Sequence, residues 1–294
     1  MDALSYSLTA MCKHNADGSE TTQANRIYGL MGICRELRDM GFVLPSANSL
    51  KPRHVTALVS SWKGRGLSEA TIKNRMSWLR WWATKANRRP AVPKANAALG
   101  IADTKAFKGR RAAATSRDKL ANLPERMQLA IRLQMAFGMR LEECLKVKVA
   151  IADKGTILAL KDSWCKGGRA RSIPIVHARQ RDLVDEVHRV CGNESLVPVS
   201  MKYIRYRKQV EKAALKAGVT NMHKHRHWYA CWRYETLTGR KAPSDGGPTH
   251  DRLKPAERRP LDEARLAISR ELGHNRIEVT DAYLGYRWPE RGAS

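Results

Sequence analysis

Apolar residues recur at helical spacing along much of this chain, and that period restricts its fold more than any other feature of the sequence. Residues 20–41 carry one such stripe, which Gly41 ends. A second helix is predicted at Pro52–Trp62, and a third begins after Ser68, whose hydroxyl suits an N-cap, and continues to residue 88. The first part of the chain is therefore expected to be helical.

The periodic pattern fades between Asn87 and Arg111, in a stretch rich in Pro, Gly, Ala and positive charge. Such a composition is typical of a linker, so we expect a helical domain at 1–105, a linker at 106–116 and a second domain at 117–294. The elements predicted in the second domain are helices at Arg117–Val147, Arg179–Cys191 and Met201–Ala217, strands at Thr156–Leu160 and Arg171–Val176, a basic Pro/Gly loop at 238–260 and a closing helix. The expected fold class is mainly α with a small β-sheet.

A large excess of positive charge points to a polyanionic partner. Lysine and arginine number 54 against 28 acidic residues, which gives a formal net charge of +26. No long basic helix with a clean apolar face accompanies this charge, so nucleic acid is favoured over a membrane surface. A solvated charged face is the plainer interpretation of the cations on the third predicted helix, but the overall charge favours phosphate contact. These candidate DNA-binding residues are Lys73, Arg75, Arg80 and Lys85.

Length, hydropathy and cysteine spacing narrow the class of protein further. The 294 residues suffice for two domains with their own cores. No stretch is long and apolar enough for a membrane span, and the N-terminal segment lacks the pattern of a secretory signal, so an intracellular protein is expected. Six cysteines lie far apart without a Cys-x-x-Cys pair, which predicts reduced core residues rather than disulfides or a zinc ribbon.

The segment MHKHRHWYACW, at 222–232, raises the question of a metal site because three histidines alternate there. On a helix only His223 and His227 would share a face, and no carboxylate or thiolate of the usual spacing accompanies them. Arg226 argues further against a metal, since a guanidinium repels a divalent cation but binds a phosphate well. We therefore predict no metal, and we expect His225 to serve helix packing or the surface.

Four short segments of the second domain carry chemically useful residues in a fixed order. They are FGMRLEECLKV with Arg140 and Glu143, CKGGRARSIPI with Lys166, HKHRHWYA with His223 and Arg226, and LGHNRIEVTDAYLG with His274 and Tyr283. Together they resemble the signature of the tyrosine recombinases, the family of phage and mobile-element integrases and Xer-type resolvases. In that family the nucleophilic tyrosine comes nine residues after the Leu-Gly-His histidine, and nine residues separate His274 from Tyr283. The resemblance covers residues 117–286, and extends to the N-terminal half only in its helical pattern.

The chemistry of the residues agrees with this resemblance. Cleaving a phosphodiester without a metal requires a nucleophile, donors for the developing charge and an acid for the departing oxygen. Tyr283 can hold a covalent phosphate, and Arg140 and Arg226 offer forked donors that match phosphate geometry. His223 and His274 can donate hydrogen bonds or move protons near pH 7.

The resemblance assigns further roles: Lys166 protonates the 5′ oxygen as it leaves, and Glu143 orients the site. His227 is expected to support them. A plainer interpretation exists for each residue taken alone, since Arg140 and Glu143 could form an ordinary helix ion pair worth about 0.2–0.5 kcal/mol. The occurrence of all these residues in order and context favours one active site. Tyr286 is a nearby alternative nucleophile, which the nine-residue spacing disfavours.

One departure from the family pattern concerns the spacing of the motifs. Between Arg226 and His274 the interval is 48 residues, longer than in the compact form of the family. The surplus lies in the 238–260 loop, which is a candidate for an additional DNA contact.

The resemblance implies a helical core-binding domain that clamps DNA, followed by a tyrosine-recombinase catalytic domain. The implied function is a site-specific recombinase or integrase that cuts and rejoins DNA through a 3′-phosphotyrosyl intermediate and integrates or excises a mobile element. No cofactor is expected, because the phosphotyrosine bond conserves the energy of the broken bond. The implied partner is double-stranded DNA at specific sites, bound by a homotetramer on synapsed DNA in the cytoplasm, on the nucleoid, without a membrane. Alternatives are a type IB topoisomerase-like relaxing enzyme and a catalytically idle DNA-binding regulator on the same fold.

Overall fold

Two compact units make up the chain, Met1–Lys105 and Ala106–Ser294. The computed structural model describes residues 2–102, 112–249 and 253–285. Each unit has its own hydrophobic core. In those described ranges, no helix is long and apolar enough to cross a bilayer.

The first unit is built from helices. They are α1 (Ala3–His14), α2 (Glu20–Asp39), α3 (Pro52–Gly64) and α4 (Glu69–Lys85), with 3₁₀ turns at Ala47–Ser49, Arg89–Ala91 and Asn96–Leu99. Ser19 and Ser68 cap α2 and α4 by accepting a hydrogen bond from the backbone N–H three residues later. Trp62 and Trp82 are fully buried and fill the centre of the core.

Two features of this unit differ from the prediction. Helix α1 is absent from the predicted elements because it buries only a short stripe that includes Leu8, although Asp2 caps it with a side-chain hydrogen bond. The Pro/Gly-rich stretch that begins at Asn87, where the helical period fades, still belongs to this unit up to Ile101, since Val92 and Ile101 are buried in its core. The prolines and glycines there form tight turns against the helices.

The second unit is mainly α with a small antiparallel sheet, so the predicted fold class is confirmed. Its elements are α5 (Arg117–Ala121), α6 (Glu125–Phe137), α7 (Leu141–Lys146), α8 (Val149–Ala152), β1 (Ile157–Leu160), β2 (Arg171–Pro174), α9 (Ala178–Cys191), α10 (Tyr203–Lys216), α11 (Lys224–Thr238), α12 (Pro255–Glu271) and α13 (Ile277–Leu284). Leu158 pairs with Ile173 and Leu160 with Arg171. The turn at 161–170 therefore lies at one end of the sheet.

Proline and glycine explain where this unit departs from the predicted elements. The helical region predicted at Arg117–Val147 consists of three helices, α5, α6 and α7, because Pro124 precedes α6 and Gly138, with a left-handed φ of 59°, ends it. Helix α12 extends into the loop predicted at 238–260, since Pro255 occupies its first turn, where a missing N–H removes no helical hydrogen bond. Residues 250–252 of that loop lie outside the described ranges.

The end of the predicted linker packs on the second unit. Ala112 is buried in its core. Thr115 Oγ1 lies 2.7 Å from Nε2 of His225, and the His225 ring is buried where α11 packs in this core. Residues 106–111 of the linker lie outside the described ranges. All six cysteines are buried, as predicted, and none is paired with another.

Candidate active site

The turn between α6 and α7 places Arg140 at the edge of the candidate site. Gly138 makes the left-handed turn, and a side chain there would meet the ring of Tyr229 at 2.5 Å. Arg140 then precedes the first turn of α7, where its backbone N–H donates to Glu143 Oε2 at 2.6 Å and its Nη1 to Glu143 Oε1 at 2.8 Å. The two residues form an i,i+3 ion pair, which is the plainer interpretation of the sequence, but the carboxylate is fully buried.

Glu143 is the acidic centre of a cluster of arginines. Arg171 binds it with both terminal nitrogens, at 3.0 and 2.6 Å, and Arg226 Nη1 lies 3.9 Å from Oε2. Burial alone would raise the pKa of Glu143, but the hydrogen bonds and charge of Arg171, together with Arg140, lower it to about 2. The carboxylate is therefore ionised across the physiological range and holds the arginines in place.

Arg226 projects from the first turn of α11 and is fully buried. Its guanidinium donates to the backbone carbonyl of Gly138 through Nη1 and to that of Leu272 through Nη2, the second at 2.9 Å. Within the described structure its Nε has no hydrogen-bond partner. Burial lowers the pKa of Arg226, with the charge of Arg140 adding to this effect. A buried guanidinium with an unused donor is suited to an anionic ligand.

Three histidines surround the ring of Tyr283, which lies on α13. The ring centroids of His227, His223 and His274 are 4.7, 5.9 and 5.9 Å from that of Tyr283. The guanidinium carbon of Arg226 lies 5.7 Å from the same ring centroid. His223 lies just before α11 and is exposed. Partial desolvation by the groups around the ring, followed by the charges of Arg226 and Arg140, lowers its pKa. The structure thus brings the predicted histidines and the tyrosine into one cluster.

His274 connects the tyrosine hydroxyl to the arginines. Its Nε2 lies 3.3 Å from the hydroxyl oxygen of Tyr283 and 3.5 Å from Nη2 of Arg140. Burial, followed by the charges of Arg140 and Arg226, lowers the pKa of His274 to about 4. The ring is consequently neutral at pH 7, and its Nε2 can accept a hydrogen bond from the tyrosine hydroxyl.

The two remaining predicted residues, His227 and Lys166, differ from each other in burial and contacts. His227 is buried, and its Nδ1 lies 3.4 Å from the backbone oxygen of Tyr283, so it contacts the backbone of the helix that carries the tyrosine. Lys166 is exposed in the turn between β1 and β2, and within the described ranges the structure gives it no polar contact with the other candidates. Tyr286 lies outside the described residues.

Arg171 is the residue of this cluster that sequence reasoning missed. It begins β2, only five positions after Lys166, and its side chain is 6% exposed. A sequence signal exists in principle, because a buried carboxylate needs more hydrogen-bond donors than one neighbouring arginine supplies. That signal cannot select Arg171 among the many arginines of this chain, since the contact with Glu143 is formed by the fold.

The cations proposed for DNA contact on α4 are occupied largely within their own unit. Arg75 Nη1 donates to Glu36 at 2.7 Å, Arg80 Nη2 to Asn96 Oδ1 at 2.6 Å, and Lys85 lies 3.4 Å from Asp17. These three and Lys73 are half-buried. Their role in DNA binding stays a prediction, and the contacts give Arg75 and Arg80 a clear part in stabilising this unit.

The histidine run at 222–232 does not form a metal-binding geometry. His223 and His227 do face each other, with ring centroids 5.6 Å apart. Across the described residues, however, no group of three or more histidine, cysteine or acidic side chains converges as metal ligands would.

Comparisons with known proteins agree with this architecture. Residues 1–92 match the family model described as phage integrase, N-terminal. Lambda integrase, solved as a dimer bound to a COC′ core site, superposes with a TM-score of 0.65 at 17% identity and 99% coverage of both chains. The Tn1549 transposon integrase in complex with circular intermediate DNA gives a TM-score of 0.59 at 15% identity, covering 99% of this chain and 97% of that one.

A lambda integrase tetramer bound to a Holliday junction also superposes, with a TM-score of 0.60 at 17% identity over 97% of this chain and 79% of that one. No curated protein sequence matches this chain significantly. The chain has the fold of the tyrosine recombinases. Residues 1–92 also match a phage integrase domain, and the two findings together support the resemblance to the tyrosine recombinases.

Proposed function

We propose that this protein is a site-specific DNA recombinase that cleaves and rejoins strands through a 3′-phosphotyrosyl intermediate. The observation that carries the proposal is the contact of the Tyr283 hydroxyl with His274, at 3.3 Å, beside Arg140 and Arg226. A nucleophile, a neutral base and two forked cations thus lie together, as metal-free phosphoryl transfer requires.

In the cleavage step, the hydroxyl oxygen of Tyr283 attacks the scissile phosphorus while the bond from phosphorus to the 5′ oxygen breaks. The tyrosine proton passes to Nε2 of His274, which is unprotonated and lies 3.3 Å from the hydroxyl oxygen. The negative charge of the bound phosphate offsets the arginine charges that lower the pKa of this ring. Lys166 donates a proton to the departing 5′ oxygen. Rejoining reverses these transfers with a 5′ hydroxyl of another strand, so no nucleotide cofactor is consumed.

The arginines act on the non-bridging oxygens, where charge increases as the new bond forms. Arg226 has an unused Nε donor, and Arg140 is only 23% exposed in its side chain. Their attraction for a phosphate is strong because both are removed from bulk water. Arg171 neutralises the carboxylate of Glu143, so the positive charges of Arg140 and Arg226 remain available to the substrate.

Charge supports DNA as the substrate. Besides the formal net charge of +26, one side of α10 carries cations spaced three or four residues apart. We call this the basic face of α10, which consists of the N-cap residue and four helical residues: Lys202, Arg205, Lys208, Lys212 and Lys216. All five side chains are exposed, and the structure gives them no ion pair among the described residues. A stripe of this kind suits a phosphate backbone.

Mobile-element integration or excision is the biological role that we propose. Its support is the phage integrase domain and the likeness to a transposon integrase solved with circular intermediate DNA. Assembly of a tetramer on synapsed DNA is proposed from the need to cut two duplexes twice, and the lambda integrase tetramer on a Holliday junction offers a precedent. An enzyme acting on the chromosome is expected on the nucleoid, in the cytoplasm.

The proposal is tested with DNA from the flanks of the protein's own gene, nicked so that the cleaved strand end is lost and the intermediate accumulates. We expect a covalent protein–DNA complex on a denaturing gel, formed equally in the presence of EDTA, and recombinant products with intact sites. Relaxation of supercoiled DNA without recombinants would favour the topoisomerase-like alternative. Binding without any covalent complex would identify a DNA-binding regulator.

A further inference from the structure

Arg171 neutralises Glu143 but takes no direct part in the proton transfers described above. We propose that Arg171 is a positioning residue, which fixes the turn carrying Lys166 against the Glu143–Arg140 pair so that the lysine reaches the leaving oxygen. This inference rests on the proposed function, because it concerns the protonation step of that reaction.

Each side of the Arg171 guanidinium is bound to a different part of the unit. Its two terminal nitrogens donate to Glu143 on α7, at 3.0 and 2.6 Å. Its Nε donates to the backbone oxygen of Glu271 at the end of α12, at 2.8 Å. Its Nη1 also lies 3.3 Å from Sγ of Cys165, the residue before Lys166. One side chain therefore joins α7, α12 and the turn between the strands.

The turn depends on these contacts for its position. Residues 166–170 are all exposed, and both glycines next to the lysine, Gly167 and Gly168, have left-handed φ angles of 77° and 65°. The turn begins at Cys165, which is 8% exposed, and ends at Arg171. Because Lys166 has no polar contact within the described ranges, its reach is set by these two buried ends.

The geometry calls for an arginine at this position. A lysine would preserve the charge, but a single ammonium cannot bind both oxygens of Glu143 and also reach the Glu271 carbonyl. Arg171→Lys should therefore leave the buried glutamate neutralised while releasing the turn. Losing a partner that orients a metal ligand lowers activity about 10- to 100-fold, and we expect a loss of the same order here.

A sulfur-substituted substrate separates this role from a general effect on the fold. In this substrate, sulfur replaces the 5′ bridging oxygen at the scissile phosphate, so the phosphorus–sulfur bond breaks and a thiolate leaves. The thiolate needs no proton from a general acid, because thiols are far more acidic than alcohols. We expect Arg171→Lys to form the covalent complex about 10- to 100-fold more slowly on ordinary DNA and at nearly the wild-type rate on the sulfur substrate. Lys166→Ala should behave in the same way, whereas Arg226→Lys should be slow on both.

Cys165→Ala provides a second variant that leaves the Arg171–Glu143 pair intact and removes only the contact to the turn. We expect a smaller loss, again confined to ordinary DNA. Equal losses on both substrates for Arg171→Lys and Cys165→Ala, or no loss for either, would overturn the positioning role. Failure of the wild-type protein to form a covalent complex on either substrate would instead refute the proposed function, and the two failures are therefore distinguishable.

Discussion

At the residue scale, burial determines the protonation of the site. The pKa of His274 is lowered to about 4 by burial and by the neighbouring arginines, and that of His225 to about 4 by burial. His225 also has Thr115 Oγ1 at 2.7 Å and is only 2% exposed. Both rings are thus neutral in the folded protein at pH 7, while in the unfolded chain they take up a proton near pH 6.5.

This difference predicts an acid-sensitive fold. A histidine whose pKa is lower in the folded protein than in the unfolded chain contributes its full stability above about pH 6.5. This stability is lost as the pH falls toward 4, because over that range the unfolded chain binds protons that the folded protein does not. Each histidine should add about 1.4 kcal/mol per pH unit to the slope of the free energy of unfolding in that window. Denaturant unfolding between pH 7 and 4.5 should show a smaller slope for His225→Asn than for the wild type. Identical slopes would contradict the assignment of His225.

At the element scale, α13 is held on α12 of the same chain. Arg265 donates to Asp281 in a buried pair, and Thr280 Oγ1 donates to the backbone oxygen of Arg265 at 3.2 Å. Ser269 Oγ exchanges hydrogen bonds with the backbone of Arg276 at 2.7 and 3.0 Å. The contacts of Thr280 and Asp281 lie within three residues of Tyr283, and those of Arg276 fix the start of the helix, so together they set where the hydroxyl of the tyrosine lies.

Asp281→Asn should loosen this helix because it removes the charge that balances the buried guanidinium of Arg265. We expect a loss of about 1.5–3 kcal/mol in the free energy of unfolding, the range for hydrogen bonds to charged groups, and slower formation of the covalent complex with unchanged DNA binding. Glu278→Gln is the matched control, since Glu278 is exposed on the same helix. A loss of the same size in the control would show that the pair has no special part.

Predictability also differs between elements. Amphipathic helices such as α2 and α9 and both strands lie within two residues of their predicted bounds, because period and caps are local signals. The breaks at Pro124 and Gly138 carry local signals too, but the apolar pattern continues across them. For the site, motif order predicts the residues that surround Tyr283, whereas Arg171 depends on a contact between distant segments that no spacing in the sequence reveals.

At the scale of the whole molecule, the charge excess predicts binding that weakens steeply with salt. Each lysine or arginine that neutralises a phosphate releases a counterion, so the logarithm of the affinity should fall linearly with the logarithm of the salt concentration. Replacing Lys208 and Lys212 of the basic face with alanine should reduce that slope by about 2. The double arginine variant keeps both charges and should keep the slope. An unchanged slope in the alanine variant would exclude this face from the DNA contact.

The central claim is that Tyr283 is the nucleophile, and the most direct measurement is the protein band shifted by attached DNA on a denaturing gel. Tyr283→Phe should bind DNA normally yet give no shifted band, because the ring still packs against the histidines while the attacking oxygen is gone. Tyr286→Phe, the matched control, should give the band at the wild-type level. A shifted band from Tyr283→Phe together with its loss in Tyr286→Phe would contradict the account.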